Sequence, residues 1–170
     1  MRTSKRDEHF ALFFQAQAES LRRFGVFLTG DPERGADLAQ EAMARVYRKW
    51  GRIQSGDPNA YARRIVLNLV RGAHRRNLVA RRHKQHEAST EVHPSRSGEI
   101  DDWLEVSAAL RQLPVARRAV VVLRFYEDMS ERQIADTLDR PLGTVKSDLH
   151  RGLKKLKEIL EEQPVEGRRT

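Results

Sequence analysis

Ser130-Glu131-Arg132-Gln133-Ile134-Ala135-Asp136-Thr137-Leu138-Asp139-Arg140-Pro141-Leu142-Gly143-Thr144-Val145-Lys146-Ser147 reads as a helix start, a stop and a second start in quick succession. Ser130 with Gln133 three residues on has the form of a capping box, so a short helix begins there with Ile134, Ala135 and Leu138 inward. Residues 139–141 leave room only for a tight connection. From Leu142, a longer amphipathic helix places Leu142, Val145, Leu149, Leu153, Leu156 and Leu160 on one face. Together these make a helix-turn-helix. At 100° per residue the second helix turns Thr144, Ser147, Arg151 and Lys154 outward, with Lys146 and His150 on one flank. Short hydroxyls and basic groups in that arrangement suit phosphates and major-groove base edges. Asp148 and Glu158 interrupt the basic set. On periodicity alone, a helical hairpin with a solvated face reads the same way.

Upstream, the 170-residue chain is helical wherever it is patterned. His9 to Leu28 carries Phe10, Phe13, Phe14, Leu21, Phe24 and Leu28 at spacings of three and four. Gly30 stops that helix, Asp31 caps the next, and Pro32 takes its first position. The second helix runs to about Trp50, with Ala36, Ala39, Met43, Val46, Tyr47 and Trp50 inward. Asp57-Pro58 repeats the cap-plus-proline start, and a third helix follows to about Arg76. From Asn77 to Ile100 large apolar residues thin out and the pattern collapses, as in a flexible linker. Helical signal resumes at Asp101 with Trp103, Val106, Leu110 and Leu113. Pro114 then opens a helix with Ala119, Val122, Leu123 and Tyr126. The expectation is an all-α fold: a helical module over 1–76, a linker over 77–100, and a module carrying the helix-turn-helix over 101–163.

The third helix is unusual. Ile65, Val66, Leu67, Leu69 and Val70 cover most of its circumference and leave one polar strip of Arg64, Asn68, Arg71 and Arg75. Such a strip is either a ligand-facing rail, suited to phosphates and to stacking on exposed bases, or a row of snorkelling side chains on a core helix. Charge adds to the first account. The chain holds 32 Lys+Arg against 24 Asp+Glu, a net +8. Residues 1–76 hold 15 basic against 8 acidic, while residues 101–170 hold 13 of each. A polyanion is the implied partner, and the first module the first place to look for phosphate contacts.

Enzymatic constellations are scarce. The chain has no Cys, which excludes disulfides, Cys-ligated zinc and a thiol nucleophile. His83, His86 and His93 lie in the expected linker without a rigid scaffold, and a solvated tether accounts for them better than a metal site. No Walker-type glycine loop, G-x-S-x-G or H-E-x-x-H is present. No catalytic residue, metal or cofactor is expected. The absence of a long apolar run argues against membrane insertion and for a cytoplasmic protein.

The combination resembles a known family. Leu28-Thr29-Gly30-Asp31, Asp37-Leu38-Ala39-Gln40-Glu41-Ala42 and Val46-Tyr47-Arg48-Lys49-Trp50 are similar to region 2 of bacterial extracytoplasmic-function sigma factors. Asn59-Ala60-Tyr61-Ala62-Arg63-Arg64-Ile65 and Asn68-Leu69-Val70 look like its continuation in the actinobacterial style. Leu113-Pro114, Arg117, Leu123 to Ser130, Ile134-Ala135 and Gly143 to Ser147 resemble region 4. The resemblance implies a protein that binds the RNA polymerase core and directs it to promoters. By that analogy Asp37, Leu38, Gln40, Glu41, Arg45 and Trp50 dock on the polymerase clamp. Asn59, Tyr61, Arg64, Asn68, Arg71 and Arg75 hold the opened −10 strand. Thr144, Lys146, Ser147, His150, Arg151 and Lys154 read the −35 duplex. An anti-sigma factor is a further partner the resemblance allows. Two departures stand out: Asp139 where the family usually has Gly, and Pro141 where it often has Ser.

A linker over 77–100 would span roughly 27 Å as coil and about 80 Å at full extension. That reach covers sites one to two DNA turns of about 34 Å apart. Two competing functions are a stand-alone helix-turn-helix regulator acting on duplex DNA and a small hydrolase built on the linker histidines. The first leaves the arginine strip and the Trp50 helix without a role.

Overall fold

The computed structural model describes residues 5–83 and 100–162, with side chains left aside at 78, 80–83 and 100–105. All regular structure among the described residues is helical: α1 (Lys5–Thr29), α2 (Pro32–Ile53), α3 (Pro58–His83), α4 (Ile100–Arg111), α5 (Val115–Phe125), α6 (Glu131–Leu138) and α7 (Leu142–Glu162). The expected helix order is present. One boundary moves: α3 continues past Arg76 to His83, into the stretch expected to be linker. The rest of that stretch, with His86 and His93, lies outside the described residues, as do the side chains of His83 and Trp103.

The turns follow from local chemistry. Gly30 sits at φ +74°, and its N–H donates to the Val26 carbonyl to close α1. Asp31 Oδ1 then accepts from the Glu33 and Arg34 amides at 2.9 and 3.1 Å, with Pro32 in the first turn. Asp57 Oδ1 accepts from the Ala60 amide at 2.8 Å at the start of α3. The capping box of α6 is complete: Ser130 Oγ accepts from Gln133 N, and Gln133 Oε1 from Ser130 N.

Packing begins where α1 crosses α2. Gly25 and Gly35 face each other so closely that a Cβ on Gly25 would sit 2.9 Å from the Gly35 carbonyl oxygen. One on Gly35 would sit 2.7 Å from the Val26 backbone nitrogen. That approach draws Leu21, Phe24, Leu28, Val46 and Val66 into a core where each is essentially fully buried. Each such side chain contributes about 1.5–3 kcal/mol relative to exposure. In the second module Leu113, Val120, Leu123, Ile134 and Val145 do the same. The two cores are continuous, because α1 packs on α4 and α5 while α3 packs on α5 and α6.

Several expected core positions lie elsewhere. Phe14 and Tyr47 are about 40% exposed. Tyr47 stands at the rim, its hydroxyl donating to Asp7 at 2.7 Å and its ring 5.2 Å from the Arg6 guanidinium. Val106, Tyr126, Leu153 and Leu160 are likewise exposed and border an open apolar groove with Phe27 and Phe125. The reason is length: α7 has 21 residues and α5 only 11, so at about 1.5 Å per residue the end of α7 outruns its partner.

Asp139 decides whether the helix-turn-helix survives its departure from glycine. It closes α6 at φ +52°, in the left-handed region, and the Arg140 amide donates to the Ala135 carbonyl at 3.0 Å. The following helix starts on the Pro141 carbonyl, which accepts from Thr144 and Val145. The turn geometry is thus preserved with Asp and Pro in place. Urea unfolding should show Asp139→Gly stabilising the chain by up to about 1 kcal/mol and Asp139→Val destabilising it by about 1–2 kcal/mol. Gly35→Ala should cost about 1–3 kcal/mol, despite alanine's better helix propensity, because backbone must move to admit the methyl.

Candidate nucleic-acid interface

Helix α3 is held on nearly every side. Ala62 and Val66 have no exposure, Ile65, Leu67 and Val70 are buried, and Arg63 retains only 3%. What remains is the expected strip, with Arg64 half-buried and Asn68, Arg71 and Arg75 exposed. The snorkelling account is therefore too weak for three of the four: their polar ends stand in solvent on one line. The strip forms one wall of an open cleft of about 1000 Å³, joined by Arg34, with Arg111 and Arg118 lining it from the second module. No carboxylate lines it among the described residues. Burial, with Arg111 nearby, pushes the Arg118 guanidinium down to about 10, so it remains a cation at neutral pH.

A second groove of about 660 Å³ adjoins the strip, lined by Arg45, Arg48, Lys49, Tyr61, Arg64, Ile65 and Asn68. It joins Tyr61 to the strip, with Lys49 Nζ 5.7 Å from the Tyr61 ring centre. An aromatic face beside cations is the arrangement on which an unpaired base stacks. Arg48 and Lys49 were missed in the sequence, although Arg45, Arg48, Lys49 and Arg52 recur at helical spacing and were readable as one basic stripe.

Asn59 does not join them. It lies on the opposite flank of α3, where its Oδ1 accepts from Arg63 Nη1. The base-facing role expected of it does not fit this placement, because its amide is committed to a buried arginine.

On α2, Asp37, Gln40 and Arg45 are exposed, and Leu38 and Glu41 partly so. Arg45 Nε donates to Glu41 at 2.6 Å, which lowers the Glu41 pKa. Trp50 stands apart from this face. It is 4% exposed, with Phe10 and Phe13 ring centres 5.4 and 5.0 Å away, so a docking role for its side chain is corrected to a core role. An amphipathic pattern marks a tryptophan as facing one way, and here that way is the α1 aromatic cluster.

The helix-turn-helix presents its expected face. Thr144, Lys146, His150, Arg151 and Lys154 are exposed and Ser147 is partly so. Asp148, which interrupts the basic set in the sequence, does not interrupt the surface. Its carboxylate is taken by Arg140 at 2.7 Å and Arg117 at 3.6 Å, which ties α7 to the turn and to α5. Arg117 and Arg140 are thus positioning residues that pattern alone did not reveal.

Comparison with known proteins follows the same division. The Sigma-70 region 2 family model matches residues 13–78 and the Sigma-70, region 4 model matches residues 103–156. The chain is 35% identical to the RNA polymerase sigma-E factor of Streptomyces avermitilis, over 94% of this chain and 89% of that one. It is 30% identical to the ECF RNA polymerase sigma factor SigL of Mycobacterium tuberculosis, over 94% and 88%. Its fold is similar to that of the sigma factor RpoE from Bartonella quintana, solved in complex with the anti-sigma factor NepR. That likeness has a TM-score of 0.75 at 21% identity and covers 91% of this chain and 98% of that one.

The buried Trp50 indole Nε1 has no hydrogen-bond partner, so the ring acts by shape alone. Trp50→Ala should cost about 3–5 kcal/mol in chemical unfolding. Trp50→Phe, which keeps an aromatic ring and removes the unpaired N–H, should cost clearly less.

Proposed function

The chain belongs to the extracytoplasmic-function RNA polymerase sigma factors, of the actinobacterial type, and we propose that its two exposed strips divide promoter recognition between its two modules. As a sigma factor it directs promoter-specific transcription initiation by RNA polymerase. The strip on α3, with Tyr61 beside it, holds the opened −10 strand: the arginines take phosphates and stack on bases, and Asn68 supplies a hydrogen-bonding pair. The outward face of α7 reads the −35 duplex through Thr144, Lys146, Ser147, His150, Arg151 and Lys154. The exposed side of α2, with Asp37, Leu38, Gln40, Glu41 and Arg45, meets the polymerase clamp.

The observation that carries this division is chemical. The α3 strip is cationic and sits beside an aromatic ring, which suits a flexible, unpaired strand. The α7 face is a convex helix of mixed hydroxyl and basic groups, which suits a groove. The corresponding units are residues 1–76, extended by α3 to His83, and residues 101–163, with the linker between them. The chain itself performs no catalysis; polymerase makes the phosphodiester bonds. No helix among the described residues is long and apolar enough to cross a membrane, and a promoter-bound role places the protein in the cytoplasm. The Bartonella neighbour was solved with an anti-sigma factor, and a protein of that class is a fitting regulator here.

Purified core polymerase with this chain should yield promoter-dependent run-off product, and core alone should not. Arg151→Ala should weaken −35 duplex binding by about 1–3 kcal/mol if its guanidinium makes a bidentate base contact. Arg71→Ala with Arg75→Ala should instead reduce open-complex formation, measured by permanganate reactivity of unpaired thymines, and leave −35 duplex affinity unchanged. Equal effects of both variants on both readouts would show that the strips do not divide the task.

A further inference from the structure

The first module offers a built surface to the second. At its centre Arg63, from α3, reaches across and donates Nη2 to Glu127 Oε2 at 2.6 Å. Ser20 of α1 joins the pair, donating Oγ to Glu127 Oε1 at 2.8 Å and accepting from Arg63 Nη2 at 3.1 Å. The arginine is 3% exposed and the glutamate 15%. Two further contacts flank this centre. The Phe27 and Tyr126 rings lie 4.5 Å apart, and Arg118 of α5 donates Nη1 to the carbonyl of Leu28.

This arrangement conflicts with simultaneous use of the two strips. Helix α3 packs on α6, and α6 packs on α7. Packed helices are about 8–10 Å apart, so the α3 and α7 axes lie within about 20 Å of each other where these elements meet. Promoter elements centred on −35 and −10 are about 25 base pairs apart, which is about 85 Å along a duplex at 3.4 Å per pair. In addition, the cleft beside the α3 strip is walled by the second module. A strand held there would have to share the space with Arg111 and the start of α5.

We propose that the Arg63–Glu127–Ser20 cluster is a latch that holds the two modules together in a closed, promoter-incompetent form, and that opening it is required before the chain can engage both promoter elements. The inference rests on the assignment of the two strips to two elements. A buried ion pair suits the role. Its Coulomb attraction is largely offset by the loss of hydration, so it sets geometry sharply without making separation prohibitive. Separation returns both charges to water, whereas removing one partner leaves the other buried alone, and the closed form then loses its advantage.

The full chain tests this, helped by its lack of native cysteine. With dyes at Glu8→Cys and Glu162→Cys, one in each module, the free chain should show high energy transfer. Glu127→Ala should lower it, with at least a ten-fold rise in the open-to-closed ratio, and Arg63→Glu with Glu127→Arg should recover much of the loss. Unfolding curves show whether each variant remains folded. In a second arm, Ser20→Cys with Glu127→Cys is joined by a short bis-methanethiosulfonate reagent and assayed with core polymerase. The joined chain should lose run-off product at least ten-fold and regain it when dithiothreitol releases the link. Transfer that is equally low in the parent and in Glu127→Ala would overturn the latch. So would a joined chain transcribing within two-fold of the released one. An inactive released chain would count against the strip assignment instead, and transfer efficiency, which needs no promoter, still decides the latch.

Discussion

Burial of α3 on nearly every side is the constraint on which the rest of the molecule depends. The first module supplies α1 and α2 against it, and the second supplies α5 and α6. A helix so enclosed can expose polar groups along one line only, and that line is Arg64, Asn68, Arg71 and Arg75. The same enclosure turns Arg63 inward, where a charge needs a partner. Glu127, from the other module, is that partner. One packing requirement therefore produces both the surface that meets nucleic acid and the contact that draws the modules together.

Charge is distributed to match. The net +8 is concentrated in the first module, where the cleft beside α3 gathers Arg34, Arg71 and Arg75 without a lining carboxylate. The second module balances in sum, yet its acids are directed inward or toward neighbours: Asp148 to Arg140 and Arg117, Glu127 to Arg63. What is left facing outward on α7 is basic and hydroxylic. A strand with an open backbone is met by a strong field, and a duplex by a neutral module with one selective face.

Local features were legible because they depend on neighbours in the chain. Caps at Asp31, Asp57 and Ser130, the stop at Gly30 and the phase of α7 can all be read from residue type and spacing. Positions such as Trp50, Tyr47 and Leu160 could not be read so closely. Periodicity gives the direction a side chain faces, and whether that direction holds protein or solvent depends on how far the opposing helix extends. Trp50 meets two phenylalanines of α1, whereas Leu160 lies beyond the end of α5. Asn59 shows the same limit in a polar residue, since its engagement follows from Arg63 being buried beside it.

The sequence by itself determined the all-helical class, the order of elements, the strip on α3, the outward face of α7 and the family to which they belong. These rest on short-range hydrogen bonding and on the 3.6-residue period, and both are written within a few turns of chain. Only the tertiary structure decided that α1 and α2 meet through glycine backbones, that Asp148 anchors α7 instead of opposing DNA, and that the two modules close on Arg63 and Glu127. Each of those joins groups from separate helices, up to 64 residues apart for Arg63 and Glu127. Such pairings are selected by burial and charge balance in the packed chain, which no local pattern contains.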